Sequence, residues 1–126
     1  ARRYGPPAMA SPLKILIVED DALIAMELEE RLAEFGYRVI GPAANVAAAQ
    51  EAVRGERPDV ALLDANLAGQ SSVGLGVELV RQGVRVVFCT GYDRIKDMPA
   101  ELAGAPILTK PISDATLQET LKRLGG

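Results

Sequence analysis

Five short apolar runs alternate with segments of helical periodicity, and this alternation limits the fold of the chain more than any other feature. The runs cover residues 13–18, 37–40, 59–64, 84–89 and 105–109. Continuous apolar runs bounded by polar residues are typical of parallel strands that are buried on both faces. Short connections between alternating strands and helices indicate βαβ units with right-handed crossovers. The pattern predicts an α/β fold: a flavodoxin-like (βα)5 doubly wound parallel sheet with strand order 2-1-3-4-5.

The helix boundaries are predicted from capping residues and from apolar stripes. The first helix runs to about residue 35, where Gly36 ends it, and its apolar stripe comprises Ile24, Leu28, Leu32 and Phe35. Asn45 and Ser113 are the predicted N-caps of the second and the last helix. A loop over residues 67–72 can bend at Gly69, and a helix over about 73–82 follows. Residues 91–104 contain Pro99 and Gly104, so they hold at most a short helix.

Length and composition indicate one globular domain outside the membrane. The chain has 126 residues, of which 48% are hydrophobic and 25% charged. No apolar run approaches the roughly 18 residues that a membrane helix requires, and the N-terminus has no signal-peptide pattern. We therefore expect a cytoplasmic protein that does not contact the membrane. Residues 1–12 are predicted to be a disordered leader or an expression remnant, and residues 13–126 the domain.

The charge balance and the absence of histidine exclude several kinds of chemistry. Fourteen basic and 17 acidic residues give a net charge of -3, which argues against direct nucleic-acid binding. A chain without histidine cannot form Ser-His or Cys-His nucleophile pairs, histidine-containing zinc sites or an internal phosphohistidine. The single cysteine, Cys89, lies in an apolar run and is predicted to be a buried, inert thiol.

Polar residues follow four of the five predicted strands and converge at one edge of the sheet. Strand 1 is followed by Glu19 and Asp20, and strands 3, 4 and 5 lead to Asp64, Thr90 and Lys110. Three carboxylates in one pocket repel one another unless a cation lies between them, and Mg²⁺ prefers such oxygen ligands. The lysine and the threonine could bind an anion. This pocket is suited to phosphoryl transfer onto a carboxylate.

These residues resemble the signature of receiver domains of bacterial two-component response regulators, over essentially all of residues 13–124. The matching segments are Ile-Leu-Ile-Val-Glu-Asp-Asp at 15–21, Pro-Asp-Val-Ala-Leu-Leu-Asp at 58–64, Thr90, and Lys110 followed by Pro111. The resemblance implies a phosphoprotein in which Asp64 accepts the phosphoryl group from a histidine kinase or a phosphotransfer protein. Such a receiver catalyses its own aspartyl phosphorylation and dephosphorylation and is not a conventional enzyme.

The resemblance also assigns roles to the other residues of the pocket. It implies that Asp20 binds Mg²⁺ directly, Glu19 binds it through water, and the backbone carbonyl of Asn66 is a further ligand. Lys110 would pair with the phosphoryl group, and the Lys110–Pro111 bond would be cis. Thr90 would move to hydrogen-bond the phosphoryl group, which would switch contacts with a downstream protein target.

Two departures from the family pattern concern this switch. Ile107 stands where the family usually has an aromatic residue, and an aromatic residue appears instead at Tyr92. Residues 88–92 read Phe-Cys-Thr-Gly-Tyr, which is similar to the alphaproteobacterial receiver group named for its Phe-Ala-Thr-Gly-x-Tyr motif, although Tyr92 follows the glycine directly. We therefore predict a switch through residues 91–104 that involves Thr90 and Tyr92. The alternative interpretation, that Tyr92 is an ordinary half-buried aromatic residue of the loop, stays open.

Three other functions compete with that of a phosphoacceptor. A degenerate receiver would act as a phosphorylation-independent interaction module, and the intact acidic residues and Lys110 count against it. A flavodoxin-like redox protein would need a hydroxyl- and glycine-rich phosphate loop after strand 1, where Glu19 and Asp20 would instead repel phosphate. A phosphatase with an Asp-x-Asp motif does not match residues 64–66. Whether the domain forms a homodimer is left open.

Overall fold

The computed structural model describes residues 12–91 and 95–125. In chain order its elements are β1 (Lys14–Val18), α1 (Ala22–Glu34), β2 (Arg38–Ala43), α2 (Val46–Gly55), β3 (Val60–Asp64), β4 (Asn66–Leu67), β5 (Gln70–Ser71), α3 (Val73–Arg81), β6 (Arg85–Thr90), a 3₁₀ turn (Ala100–Leu102), β7 (Ile107–Thr109) and α4 (Asp114–Leu124). The predicted leader lies outside the described residues, except for residue 12. No helix in the described ranges is both long enough and apolar enough to cross a membrane.

The main sheet has five parallel strands in the order β2-β1-β3-β6-β7. Because a small antiparallel hairpin of β4 and β5 precedes α3, β6 and β7 are the fourth and fifth strands of this sheet. The predicted α/β fold with strand order 2-1-3-4-5 is therefore confirmed. The carboxyl ends of the strands meet at one edge, where Asp64 pairs with Cys89 and Thr90 with Thr109.

Side chains of the central strands alternate between the two faces of the sheet and form two apolar clusters. In β1, Leu16 and Val18 pack on the face covered by α2 and α3. Ile15 and Ile17 pack on the opposite face, which α1 and α4 cover. Since both faces are buried, these strands are apolar throughout, as expected of a parallel sheet between helical layers.

The N-caps predicted at Asn45 and Ser113 are present. The side chain of Asn45 accepts from the amide of Ala48 at 2.8 Å, and that of Ser113 from the amide of Thr116 at 3.1 Å. Asp21 caps α1 in the same way, because its Oδ1 accepts from the amide of Leu23 at 2.9 Å. These bonds satisfy amides that the first turn of a helix leaves unpaired.

The apolar stripe of α1 differs from the predicted one at its first position. The buried residues of this helix are Ala25, Leu28 and Leu32. Ile24 is 40% exposed and lies at the border of the buried stripe. Phe35 is half-buried and packs against the cluster on this face. The predicted contribution of Ile24 to the core is therefore wrong, because the small Ala25 faces the sheet instead.

The strand β2 is longer than the predicted run of residues 37–40. A register shift opposite β1 allows Ala43 to pair with Val18, and the carbonyl of Ala43 accepts from the amide of Glu19 at 2.9 Å. Pro42 has no amide to donate, but β2 is an edge strand, where proline is tolerated. The extension of β2 thus fixes the backbone of the first residue after β1.

Candidate functional site

Three acidic side chains meet at the carboxyl edge of the sheet. Glu19 and Asp20 follow β1, and Asp64 is the last residue of the neighbouring strand β3. Each offers one carboxylate oxygen to a group in which all three oxygens lie within 4.8 Å of one another. Glu19 is buried, Asp64 is half-buried and Asp20 is exposed. The topology of the sheet therefore brings together side chains that are up to 45 positions apart in sequence.

Lys110 follows β7 and reaches across the edge of the sheet to two of these carboxylates. Its Nζ lies 2.8 Å from Oε1 of Glu19 and 3.2 Å from Oδ2 of Asp64. Its backbone amide donates to the carbonyl of Thr90 at 2.7 Å, which continues the pairing of β6 with β7. The Lys110–Pro111 peptide bond is cis, as predicted. An ammonium group thus lies beside Asp64, on a residue whose amide is bound to the sheet and whose following residues lie outside it.

Burial and charge shift the pKa of both groups of this ion pair upward. Burial raises the pKa of Glu19, and Asp64 raises it further, although the Lys110 hydrogen bond and the Asp21 amide oppose this. Partial burial alone would lower the pKa of Lys110. The hydrogen bond to Glu19 and the negative charges of Asp64 and Glu19 outweigh that effect and raise the pKa above its usual value. Lys110 therefore stays positively charged at neutral pH.

The carboxylate of Asp64 is held from two sides. Oδ1 accepts from the backbone amide of Asn66 at 3.1 Å, while Oδ2 faces Lys110. The hydroxyl of Ser72 donates to the backbone carbonyl of Asp64 at 2.7 Å. Ser72 is fully buried and makes no side-chain cap to α3, the helix that it precedes. Its position before a helix would indicate an N-cap, so the sequence offers no signal for its contact with Asp64.

The structure describes three of the remaining residues singled out in the sequence, Thr90, Asn66 and Ile107, but not Tyr92. Thr90 ends β6 and is buried. Its strand is the direct neighbour of β3, which ends in Asp64. The amide of Asn66 contacts Asp64, and its carbonyl stays a predicted ligand. Tyr92 lies outside the described residues, so its predicted role in a switch stays a prediction. Ile107 begins β7 and packs against the cluster on the α2 and α3 face.

A groove of about 700 Å³ runs from Asp64 and Lys110 along α1. One wall is formed by α1, with Ile24 and Arg31, and the other by the segment between β7 and α4. The thiol of Cys89 is in its floor and is buried. The lining is mixed along the length of the groove: Leu28 and Leu62 are apolar, while Glu27, Arg31 and Asp114 add charged groups away from the carboxylate cluster.

The donor set at the carboxylate cluster fits a hard divalent cation. Carboxylate and carbonyl oxygens are the ligands that Mg²⁺ prefers in proteins, and the ion keeps several waters because it is bound by few protein groups. Asp20 is exposed at the edge of the cluster, which leaves a side open to water. Glu19, Asp20 and Asp64 could therefore hold Mg²⁺ next to the ammonium group of Lys110.

Residues 15–122 match the family described as the response regulator receiver domain. The solved receiver domain of the response regulator PhyR from Erythrobacter litoralis is similar at a TM-score of 0.79 and 34% identity, covering 90% of each chain. SdrG from Sphingomonas melonis has a TM-score of 0.76 and 33% identity, over 92% of this chain and 98% of SdrG. The sensory transduction protein LytT of Bacillus subtilis is 30% identical over 114 residues, 88% of this chain and 47% of LytT.

The chain spans about half the length of the curated relatives it matches. The likeness to the PhyR receiver domain confirms the predicted resemblance to the alphaproteobacterial receiver group. The family match covers most of the described residues, including the three carboxylates and Lys110. The chain therefore belongs to the family of response regulator receiver domains.

Proposed function

We propose that this receiver domain accepts a phosphoryl group on Asp64 from a phosphohistidine of a histidine kinase or a phosphotransfer protein. One observation carries the proposal: the carboxylate of Asp64 lies 3.2 Å from Nζ of Lys110 and within 4.8 Å of two further acidic side chains. A carboxylate in such a setting is a nucleophile beside groups that can neutralise a phosphoryl anion. A site built only to stabilise the fold would not need three acidic groups in one place.

In the proposed step, an oxygen of Asp64 attacks the phosphorus of the phosphohistidine. A phosphorus–oxygen bond forms while the phosphorus–nitrogen bond breaks, and the electron pair of the broken bond goes to the imidazole nitrogen. Lys110 stabilises the negative charge on the equatorial oxygens, and the hydroxyl of Thr90 donates to one of them. Glu19, Asp20, Asp64 and the carbonyl of Asn66 would hold Mg²⁺, which supplies charge neutralisation when it is bound.

The same residues would support loss of the phosphoryl group to water, so the domain would control its own signal. The product alters contacts with a downstream protein target, beginning at Thr90. We expect this signalling in the cytoplasm. A receiver that binds partners without phosphorylation is the alternative function, and the complete set of acidic groups and Lys110 favours the phosphoacceptor.

The test is the intact mass of the protein after incubation with Mg²⁺ and acetyl phosphate. We expect one phosphoryl adduct on the wild type and none on Asp64→Asn, which keeps the size of the side chain but removes the nucleophile. Asp59→Asn is the matched control, because Asp59 lies just before the opposite end of β3 and is exposed. This control should be phosphorylated like the wild type.

An adduct that persists on Asp64→Asn would contradict the assignment of the phosphoacceptor. If the wild type takes no phosphoryl group from acetyl phosphate, binding of beryllofluoride at the same site is the next measurement. A wild type that binds no beryllofluoride in the presence of Mg²⁺ would favour the interaction module.

A further inference from the structure

Arg31 links α1 to the start of α4. Its Nε donates to Oδ1 of Asp114 at 2.8 Å, and its Nη2 donates to the backbone carbonyl of Ile112 at 2.7 Å. Nη1 lies 3.5 Å from Oε1 of Glu27, one turn earlier on α1. The side chain is 20% exposed, whereas Asp114 and Glu27 are 68% and 70% exposed. The guanidinium is therefore held against the protein, with its partners arranged around it.

Arg31 fixes the segment that follows Lys110. This segment connects β7 to α4, and its first residue is bound by the hydrogen bond from the Lys110 amide to the Thr90 carbonyl at 2.7 Å. Ser113 is bound at its other end as the cap of α4. Between these points Pro111 has no amide to donate, and the carbonyl of Ile112 is bound by Arg31. The guanidinium thus links the segment to a different element, α1.

The helix α1 is therefore connected to the site of Asp64 at two places. Its N-terminal end follows Glu19 and Asp20, which belong to the carboxylate cluster. Arg31, on the same helix, binds the carbonyl of Ile112, which lies two residues beyond Lys110. Arg31 also lines the groove that ends at Asp64 and Lys110, and it joins the two walls of that groove. A shift of the segment away from α1 would widen the groove and move the backbone that carries Lys110.

We propose that Arg31 is a positioning residue for phosphoryl transfer: by binding the carbonyl of Ile112 and the carboxylate of Asp114, it sets where Nζ of Lys110 lies relative to Asp64. The inference rests on the function proposed above. Arg31 does not touch the carboxylates of the site, so its effect is transmitted through the backbone of residues 110–114. Misplacement of a charge-stabilising group by a fraction of an ångström is enough to slow such a step.

The geometry also indicates what an arginine supplies here that a lysine would not. Its planar guanidinium presents donors in fixed directions, so Nε and Nη2 reach a side-chain carboxylate and a backbone carbonyl together. A lysine has one ammonium group on a flexible stem and would favour one of the two acceptors. Arg31→Lys should therefore keep the attraction to Asp114 and position Lys110 less well.

The experiment measures the rate of phosphorylation by acetyl phosphate as a function of Mg²⁺ concentration for wild type, Arg31→Ala and Arg31→Lys. Arg54→Ala is the matched control, because Arg54 is an exposed arginine that pairs with Glu51 on α2. We expect the maximal rate of Arg31→Ala to fall about tenfold, as for displacement of a remote positioning group. The Mg²⁺ concentration at half-maximal rate should stay the same, because the predicted metal ligands are intact. Arg31→Lys should recover part of the rate, and Arg54→Ala should match the wild type.

A wild-type maximal rate in Arg31→Ala would overturn the proposal, and so would a loss that is fully accounted for by the unfolded fraction seen in circular dichroism. A loss confined to the Mg²⁺ dependence would overturn it too, since that would assign Arg31 to the metal site.

A second measurement separates this proposal from the failure of the proposed function. If the wild type takes no phosphoryl group at all, the link across the groove is tested by alkylation of Cys89, which lies in the groove floor. In folded protein, Arg31→Ala should be alkylated several times faster than wild type and Arg54→Ala. Equal rates in the three proteins would show that Arg31 does not hold the walls together.

Discussion

Lys110 places an ammonium group beside two carboxylates: Glu19, which follows β1, and Asp64, which ends β3. The substitution Lys110→Ala should leave Mg²⁺ binding intact, because the predicted ligands of the ion are the acidic residues and Asn66. Phosphorylation of Asp64 should slow by about 100-fold, since a preorganised charge facing the transition state is lost. The measurement is the phosphorylation rate at saturating Mg²⁺.

The control for this substitution is Lys122→Ala, which removes an exposed lysine from α4. It should have the wild-type rate. A wild-type rate in Lys110→Ala as well would remove Lys110 from the mechanism.

Cys89 gives a prediction about pH. Burial raises the pKa of its thiol to about 12, compared with about 8.5 for an exposed cysteine. Above pH 8.5 the unfolded chain loses this proton while the folded protein keeps it, so stability falls as the pH rises toward 12. Urea unfolding at pH 7 and pH 10 should show a smaller alkaline loss in Cys89→Ala than in wild type. An equal loss in the two proteins would contradict the role of this thiol.

Sequence patterns identify site residues whose side chains face one another but miss those that bind backbone atoms. Glu19, Asp64 and Lys110 were predictable because each follows an apolar run whose end must reach one edge of a parallel sheet. Ser72 and Arg31 were not predicted. Their partners are the carbonyls of residues 64 and 112, and a carbonyl has no residue type that a pattern could reveal.

At the scale of elements, α3 packs unusually close to the sheet. A Cβ on Gly76 would lie 3.0 Å from Cζ of Phe88 and 3.2 Å from Cδ1 of Leu102. Gly76→Ala gains up to about 1 kcal/mol in helix propensity, but overpacking of a core costs about 1–3 kcal/mol. We expect a net loss in the free energy of unfolding, measured by urea denaturation.

Gly74→Ala is the matched control, because it lies on the same helix and a Cβ there would meet nothing within 4 Å. Its stability should be unchanged or higher. A stabilised Gly76→Ala would show that Phe88 and Leu102 move aside without cost.

The elements that the sequence did not predict are those in which the local signal is weak. The hairpin of β4 and β5 was predicted as a loop with a bend at Gly69. Its turn needs positive φ at two residues, and it has them at Ala68 (φ 53°) and Gly69 (φ 92°). Alanine rarely adopts that conformation, so Ala68 carries no turn signal. The 3₁₀ turn at Ala100–Leu102 agrees with the predicted short helix.

At the scale of the whole molecule, the order of the strands could be predicted because short crossovers of one hand leave few arrangements of five parallel strands. Convergence of the acidic residues follows from that order. The groove could not be predicted, since its width depends on contacts between α1 and the segment before α4, which are distant in sequence. The family match covers residues 15–122, and the predicted boundaries of the domain at residues 13 and 126 stay a prediction.

Mg²⁺ should stabilise the entire domain. A ligand that binds the folded state and not the unfolded chain raises the free energy of unfolding as its concentration exceeds its dissociation constant. The melting temperature should therefore rise with MgCl₂ at constant ionic strength and fall back when a chelator removes the ion. Asp20→Asn should lose this response, because it removes one of the three carboxylates.

Asp97→Asn is the control for Mg²⁺ binding. Asp97 is exposed and has a φ of 54°, which asparagine tolerates. It should respond to Mg²⁺ like the wild type. A full response in Asp20→Asn would place the ion elsewhere.

The contacts of Ser72 have a consequence for the entropy of the proposed reaction. Its hydroxyl and its amide bind the carbonyls of Asp64 and Ala65 at 2.7 Å and 3.1 Å. Residues 64–72 are thus closed into a small ring, and closing a ring of this size costs less conformational entropy than joining distant segments. The backbone beneath Asp64 is already ordered before any phosphoryl group arrives. We therefore expect little conformational freedom to be lost there if Asp64 is phosphorylated, and we expect a rearrangement to begin outside residues 64–72, as the predicted switch at Thr90 would.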